Sequence, residues 1–336
     1  MKLRLPLHPV LVGLILALAV APMSLEAASK KQIFELQDPR GDDYGGGNLT
    51  YPIRTEFERG DLDVVAFRAL RARGGTRFEV EFAGNVRTTE RGAIDELGTD
   101  LTSVARHGFY TFNVDVYIDK DRVPGSGGVE MLPGRKAELQ PEFAWDRAVI
   151  LTPRPAVMNS ALKRMWIRTL NEAVREEQGE EVMDDQAADK ARAQAVRASL
   201  VESVFFPTQI RVRGREVSFF VPDEFLGGEA DPSWAYTVVV TGADLISSFD
   251  LVAKAGFAPG VADNLMVVPV GPGSWRDRFG GGREDSPLQP PLVDIFVPSG
   301  TTQERLLSDF NSDVGRPARL PGIVPAEAAA ESDDAP

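Results

Sequence analysis

The stretch Phe112-Asn113-Val114-Asp115-Val116-Tyr117-Ile118-Asp119 alternates apolar and polar side chains with a period of two. That period puts Phe112, Val114, Val116 and Ile118 on one face of a strand and Asn113, Asp115, Tyr117 and Asp119 on the other. Working outward, Phe78, Val80 and Phe82 alternate with Arg77, Glu79 and Glu81 in the same way. Further strand-like runs are Leu62 to Leu70, Asp146 to Leu151, Gln209 to Arg213, Glu216 to Val221, Ala235 to Thr241, Leu265 to Val270 and Leu292 to Val297. Short alternating runs separated by Gly, Pro and Asp predict a mainly β chain, an antiparallel β-sandwich or jelly roll in which each sheet buries one face.

One segment breaks that rhythm. From Ala156 to Val204 Gly and Pro almost vanish, and Leu162, Met165, Trp166, Leu170, Ala173 and Val174 recur at three- and four-residue steps. This is the spacing of an amphipathic helix. A second helix is expected from Asp184-Asp185, with Ala188, Ala191, Ala195, Val196 and Leu200 on its apolar face. Residues 156–204 are therefore expected to be a helical hairpin inserted between strands, packed on a sheet or offered to a protein partner. Thr301-Thr302-Gln303-Glu304 reads as a capping box opening a short helix. The stretch 319–336, rich in Pro, Ala, Glu and Asp, is expected to be a disordered acidic tail.

Composition removes several function classes. With no Cys, disulfides, thiolate metal sites and Cys nucleophiles are excluded. The net charge of −13 argues against nucleic acid as a partner, because phosphate binding needs a basic surface. Lys2 and Arg4, the apolar run Val10 to Val20 and Leu25-Glu26-Ala27 read as a signal peptide over residues 1–27. The mature chain is then expected to be periplasmic or secreted, with no membrane span, since a spanning helix needs about 20 apolar residues. Of the two His, His8 would leave with that segment and His107 alone would remain. A zinc site with several His ligands is thus excluded, and a haem would have only His107 and a few Met to hold it.

The chemically informative stretch is Asp38-Pro39-Arg40-Gly41-Asp42-Asp43-Tyr44-Gly45-Gly46-Gly47. Three carboxylates within six residues, beside glycines, either hold a hard cation with oxygen ligands or form an ordinary surface turn. The spacing is not that of an EF-hand. On the strand quoted first, Asn113, Asp115, Tyr117 and Asp119 form either a polar stripe able to meet sugar hydroxyls or a plain solvated face. Trp275, in Gly273-Ser274-Trp275-Arg276, sits in a Gly-rich loop as a candidate stacking platform. Hydrolysis needs two carboxylates roughly 5–10 Å apart, and Asp115 and Asp119 on one strand would be ~13 Å apart.

Gly41-Asp42-Asp43-Tyr44-Gly45-Gly46-Gly47, Tyr51-Pro52, Phe57, Gly60 and Asp61-Leu62 resemble the start of the C-terminal binding module of glucodextranases, of the DOMON-like group related to family 9 carbohydrate-binding modules. Phe112 to Asp119, Leu132-Pro133-Gly134-Arg135, Trp145-Asp146, Phe279-Gly280-Gly281-Gly282, Val293-Asp294-Ile295 and Gln303 through Leu307 follow in the same order. The resemblance spans residues 36 to 310 within a single domain, 28–318, and skips the helical insertion. It implies a non-catalytic β-sandwich that binds a polysaccharide or envelope glycan and carries structural calcium. Asp42 and Asp43 are the ligands it implies, with Asp38, Asp63 and Asp115 as further candidates. Trp275, Tyr117, Asn113 and Asp119 are the candidate glycan contacts. The competing functions are an envelope assembly protein that docks a partner through the hairpin, and a glycoside hydrolase.

Overall fold

The computed structural model describes residues 31–89, 101–178, 186–244, 265–283 and 287–333. One five-stranded sheet has the order β1-β2-β3-β9-β8, where β1 is Gln32–Gln37, β2 Val64–Ala72, β3 Gly75–Phe82, β8 Ile210–Arg213 and β9 Glu216–Pro222. A second has the order β11-β10-β4-β6-β7, with β4 at Phe112–Asp119, β6 at Arg147–Leu151, β7 at Val204–Phe205, β10 at Ala235–Gly242 and β11 at Leu292–Ile295. Neighbours pair antiparallel except β6 with β7. A small parallel pair joins β5 (Ala137–Leu139) to β12 (Ala318–Leu320). The helices are α1 (Leu101–Val104), α2 (Pro155–Gln178), α3 (Gln186–Ser203), α4 (Asp223–Leu226), α5 (Gln303–Ser308) and α6 (Pro325–Asp333).

Alternation decides which residues share a layer. On β4, Phe112, Val114, Val116 and Ile118 join Phe67, Phe78, Val80, Phe219, Tyr236 and Val238 in a core held between the two sheets. The register pairs Val116 with Val238 and Ile118 with Tyr236, so matching faces meet strand by strand. The sandwich expected from the sequence is the observed fold.

The other face of β4 is not solvated. Tyr117, Ala148, Ile150 and Val239 belong to a second core with Met131, Leu132, Met158, Leu162, Met165 and Leu200. The helical hairpin α2–α3 therefore packs on the second sheet, and its apolar stripe supplies the third layer. The proposed start of the second helix at Asp184-Asp185, like the signal segment, lies outside the described residues.

Two expectations are corrected. Leu265 to Val270 is not a strand: Leu265 and Met266 have φ of 39° and 60°, and the segment makes isolated bridges at Val267 and Val270. The C-terminal stretch is ordered through Asp333, because Leu320, Ile323 and Val324 are buried and α6 lies against β1. Its large apolar residues, Leu320, Ile323 and Val324, are few but buried, which composition averaged over eighteen residues conceals.

Candidate functional site at the acidic turn

β1 runs out at Gln37, and the chain then turns through residues 38–47 at the end of the sandwich. Gly41 donates its N–H to Asp63 Oδ2 (2.7 Å), and Gly45 donates to the Val293 carbonyl (2.8 Å). Gly45 has φ 59°, and a Cβ there would come within 2.7 Å of the Leu292 carbonyl oxygen. The turn is thus pinned to β11 at a position that only glycine fits. Buried Gln303, at the start of α5, accepts from the Ile295 N–H (2.7 Å) and donates to the Asp42 carbonyl. One side chain ties the turn, β11 and α5 together.

Three carboxylates converge there. Oxygens of Asp38, Asp42 and Asp294 lie within 4.8 Å of one another. Asp294, on β11, is fully buried and accepts from the N–H of Val64 (2.7 Å) and of Ile295 (2.9 Å). Both carboxylate oxygens of Asp38, Oδ1 of Asp42 and Oδ1 of neighbouring Asp63 are buried without a hydrogen-bond partner. Among the described residues these four acids form no ion pair. Arg40, whose field reaches Asp63, places its guanidinium on the Ala83 carbonyl (2.8 Å).

Burial and mutual repulsion push all four carboxyls upward. Asp63 rises to about 6, with desolvation the largest cause and the charges of Asp43 and Asp42 adding to it. Asp38, Asp42 and Asp294 also rise, again through desolvation first; the charges of Asp42 and Asp63 raise Asp38 further, and those of Asp38, Asp42 and Asp63 raise Asp294. Two unit negative charges 4.8 Å apart repel by about 3.5 kcal/mol at an effective dielectric of 20. Orphaned oxygens on converging acids are the donor set that calcium takes, 6–8 hard oxygens in a flexible shell. The residues present fit that ion.

The candidate ligands separate in space. Asp38 and Asp42 are brought together, and Asp63 stands beside them. Asp43 turns away: its Oδ2 accepts from Gly60 N–H (2.7 Å) and from the Tyr51 hydroxyl, fixing the turn to the 60–62 loop. Asp115 lies elsewhere, fully buried against equally buried Arg135, whose Nε is 2.6 Å and Nη2 3.1 Å from its two oxygens. The guanidinium in bidentate contact neutralises Asp115, which is not among the acids that converge at the turn. Sequence reasoning missed Asp294 as a site residue. Its signal was there: one acid inside the apolar run Leu292-Val293-Asp294-Ile295-Phe296.

The expected sugar stripe on β4 is buried under the second core. Asn113 donates to Thr241 Oγ1 and the Met266 carbonyl (both 3.2 Å), and Tyr117 bonds Asp115 and the Leu132 N–H. Asp119 is 2% exposed and accepts from Arg122 N–H (2.8 Å); with Asp121 and Asp146 it forms a second acidic group, beside which Arg122 places its own positive charge.

Trp275 is different, at 55% exposed. Its carbonyl accepts from the Ile53 N–H (3.1 Å), and Ile53 is also exposed. The loop carrying Trp275 is clamped to residues 48–53 through the Thr50–Gly280 bridge, and a Cβ at Gly281 would lie 1.7 Å from the Asn48 carbonyl oxygen. Asp43, Tyr44 and residues 47–51, with Arg59 and Glu304, line a groove of about 520 Å³ beside the acidic turn. Tyr44, Asn48, Thr50, Arg59 and Glu304 give it ring surface and hydrogen-bonding groups together.

The family model of the C-terminal binding module, SLH-like, of glucodextranase matches residues 33–322. No curated protein matches the chain.

Proposed function

Since the chain belongs to the family of glucodextranase C-terminal, SLH-like binding modules, we propose that it is an exported, non-catalytic glycan-binding protein whose binding face is braced by calcium. The observation that carries this reading is the set of orphaned oxygens on Asp38, Asp42 and Asp63, converging with Asp294 next to the groove of Tyr44, Asn48 and Arg59. Asp38, Asp42 and Asp294 would hold the ion, with Asp63 close by. Calcium bound there supplies positive charge to a cluster of acids that, among the described residues, has no ion-pair partner and only the field of Arg40 to offset it. The chain's own residues set the groove: Gln303 fixes the turn's backbone, Asp43 locks it to Tyr51, and Trp275 stands exposed on the adjoining loop. An indole offers its face to the C–H side of a sugar ring, while amide, hydroxyl, guanidinium and carboxylate groups meet the hydroxyls.

The test is affinity electrophoresis of the purified chain through gels containing dextran, soluble starch or envelope polysaccharide, with calcium and with chelator. The reading expects retardation on at least one gel that chelator or Asp38→Asn weakens, and that Trp275→Ala reduces. Unretarded migration on every gel with calcium present overturns it. Export is tested by the mature N-terminus, expected at Ala28.

A further inference from the structure

A second groove, of about 540 Å³, opens on the opposite side of the second sheet from the sandwich core. One wall is α2, through Trp166 and Thr169; the other is the ribbon Gly128–Pro133 with Trp145. Both indoles are only partly buried and pack on the second core with Met131 and Leu132 beneath. Trp145 is fixed in place. Its Nε1–H donates to the Glu130 carbonyl (2.9 Å), its ring meets Tyr117 edge-on at 5.8 Å, and a Cβ on Gly128 would lie 2.9 Å from it.

We infer that this cleft between Trp145 and Trp166 binds a neutral glycan chain, and that the helical insertion exists in part to supply its second wall. The inference rests on the glycan-binding reading above and deepens it with a separate site. Two indoles on facing walls offer apolar carbon surface, and the exposed Glu130 carboxylate and Thr169 hydroxyl between them accept and donate to hydroxyls. That mixture suits a sugar, which has an apolar C–H face and a polar rim. It suits an apolar protein helix poorly, since such a helix leaves Glu130 without a partner. Charge narrows the class further. Among the described residues Glu130 is the one charged member of the lining, so a polyanion would meet repulsion there. The volume lies within the 300–1,000 Å³ usual for clefts that enclose a ligand of a few rings.

The experiment is affinity electrophoresis of the full chain in dextran and soluble-starch gels, with Trp166→Ala, Thr169→Arg and Trp275→Ala compared against wild type. Thermal melting confirms each fold, and exposed Thr169 makes its variant a control for folding damage at Trp166. The inference expects both cleft variants to bind at least about tenfold more weakly. Wild-type retention unchanged by Trp166→Ala and Thr169→Arg but lost in Trp275→Ala overturns this site and leaves the earlier reading standing. Retention lost in the cleft variants and untouched by Trp275→Ala supports this site and moves binding away from the acidic corner. A wild-type chain that ignores every glucan gel overturns both. Binding to phenyl resin that depends on Trp166, without glucan retention, overturns the inference in favour of a protein-docking face.

Discussion

Asp294 is a carboxylate placed where the two sheets come together and, among the described residues, is received by the backbone N–H groups of Val64 and Ile295 alone. Its charge, with those of Asp38, Asp42 and Asp63, makes the metal-free corner pH-sensitive. A carboxyl whose folded value is raised binds more protons folded than unfolded, so stability falls as pH climbs from the ordinary value toward the folded one. For Asp63 that window runs from 3.8 to about 6, and the other three acids act in the same direction. In chelator, melting temperature should therefore decline from pH 4 to above pH 6. Excess calcium should flatten that decline, adding about 2.7 kcal/mol at a hundredfold excess over Kd. Asp294→Asn should remove the calcium increment while leaving the chelated protein as stable as before or more so; calorimetry with and without calcium reads both. Asp38 and Asp42 could be found from their spacing beside glycines. Asp294 could not be assigned to them, since 252 residues of chain separate it from Asp42 and only the fold closes that gap.

At the scale of elements, β4 shows what a period of two can and cannot say. It gave the face that fills the sandwich core and placed Asn113, Asp115, Tyr117 and Asp119 together on the other. Whether that other face meets water depends on what packs above it, and here α2, α3 and the segment Met131–Leu139 do. Asp115 is tolerable there because Arg135 neutralises it. Removing one partner of such a buried pair typically costs 3–5 kcal/mol, so Arg135→Ala should lower unfolding free energy by about that much in urea melts. Replacing both partners by apolar residues of similar size should recover most of it. The short pair β5–β12 escaped sequence reading for a different reason. Three-residue strands carry too few alternations to register, and their partners are 181 residues apart. At the edge of the site, Gly281→Ala should detach the Trp275 loop from residues 48–53, seen as faster amide exchange at Thr50 and Gly280, because the added carbon would sit inside the Asn48 carbonyl.

The unit from Gln32 onward is three layers rather than two, and that changes what the insertion is for. Deleting residues 156–204 leaves no bare, water-ready sandwich. It strips Met158, Leu162, Met165 and Leu200 from the second core and uncovers Ala148, Ile150 and their neighbours on β6, an apolar face that a soluble chain does not ordinarily show. The deletion variant should bind a hydrophobic dye and aggregate, whereas Leu162→Ala should stay folded and lose about 2–5 kcal/mol. The hairpin itself was legible in residues 156–204, since a 3.6-residue period needs only local sequence. Its place was not, because the sheet face that receives it reads as polar.

The bond from Gln303 to the carbonyl of Asp42 spans 261 residues, and the same amide reaches β11. The corner is thus a clasp between distant stretches of the domain, and it cannot close before Gln303 has been made. A ribosome-bound or truncated chain stopping before Asp294 would carry Asp38 and Asp42 with no third acid to meet. Ion capture and completion of the sandwich should then arrive in a single late event, which makes cation affinity a direct readout of whether β11 has come home.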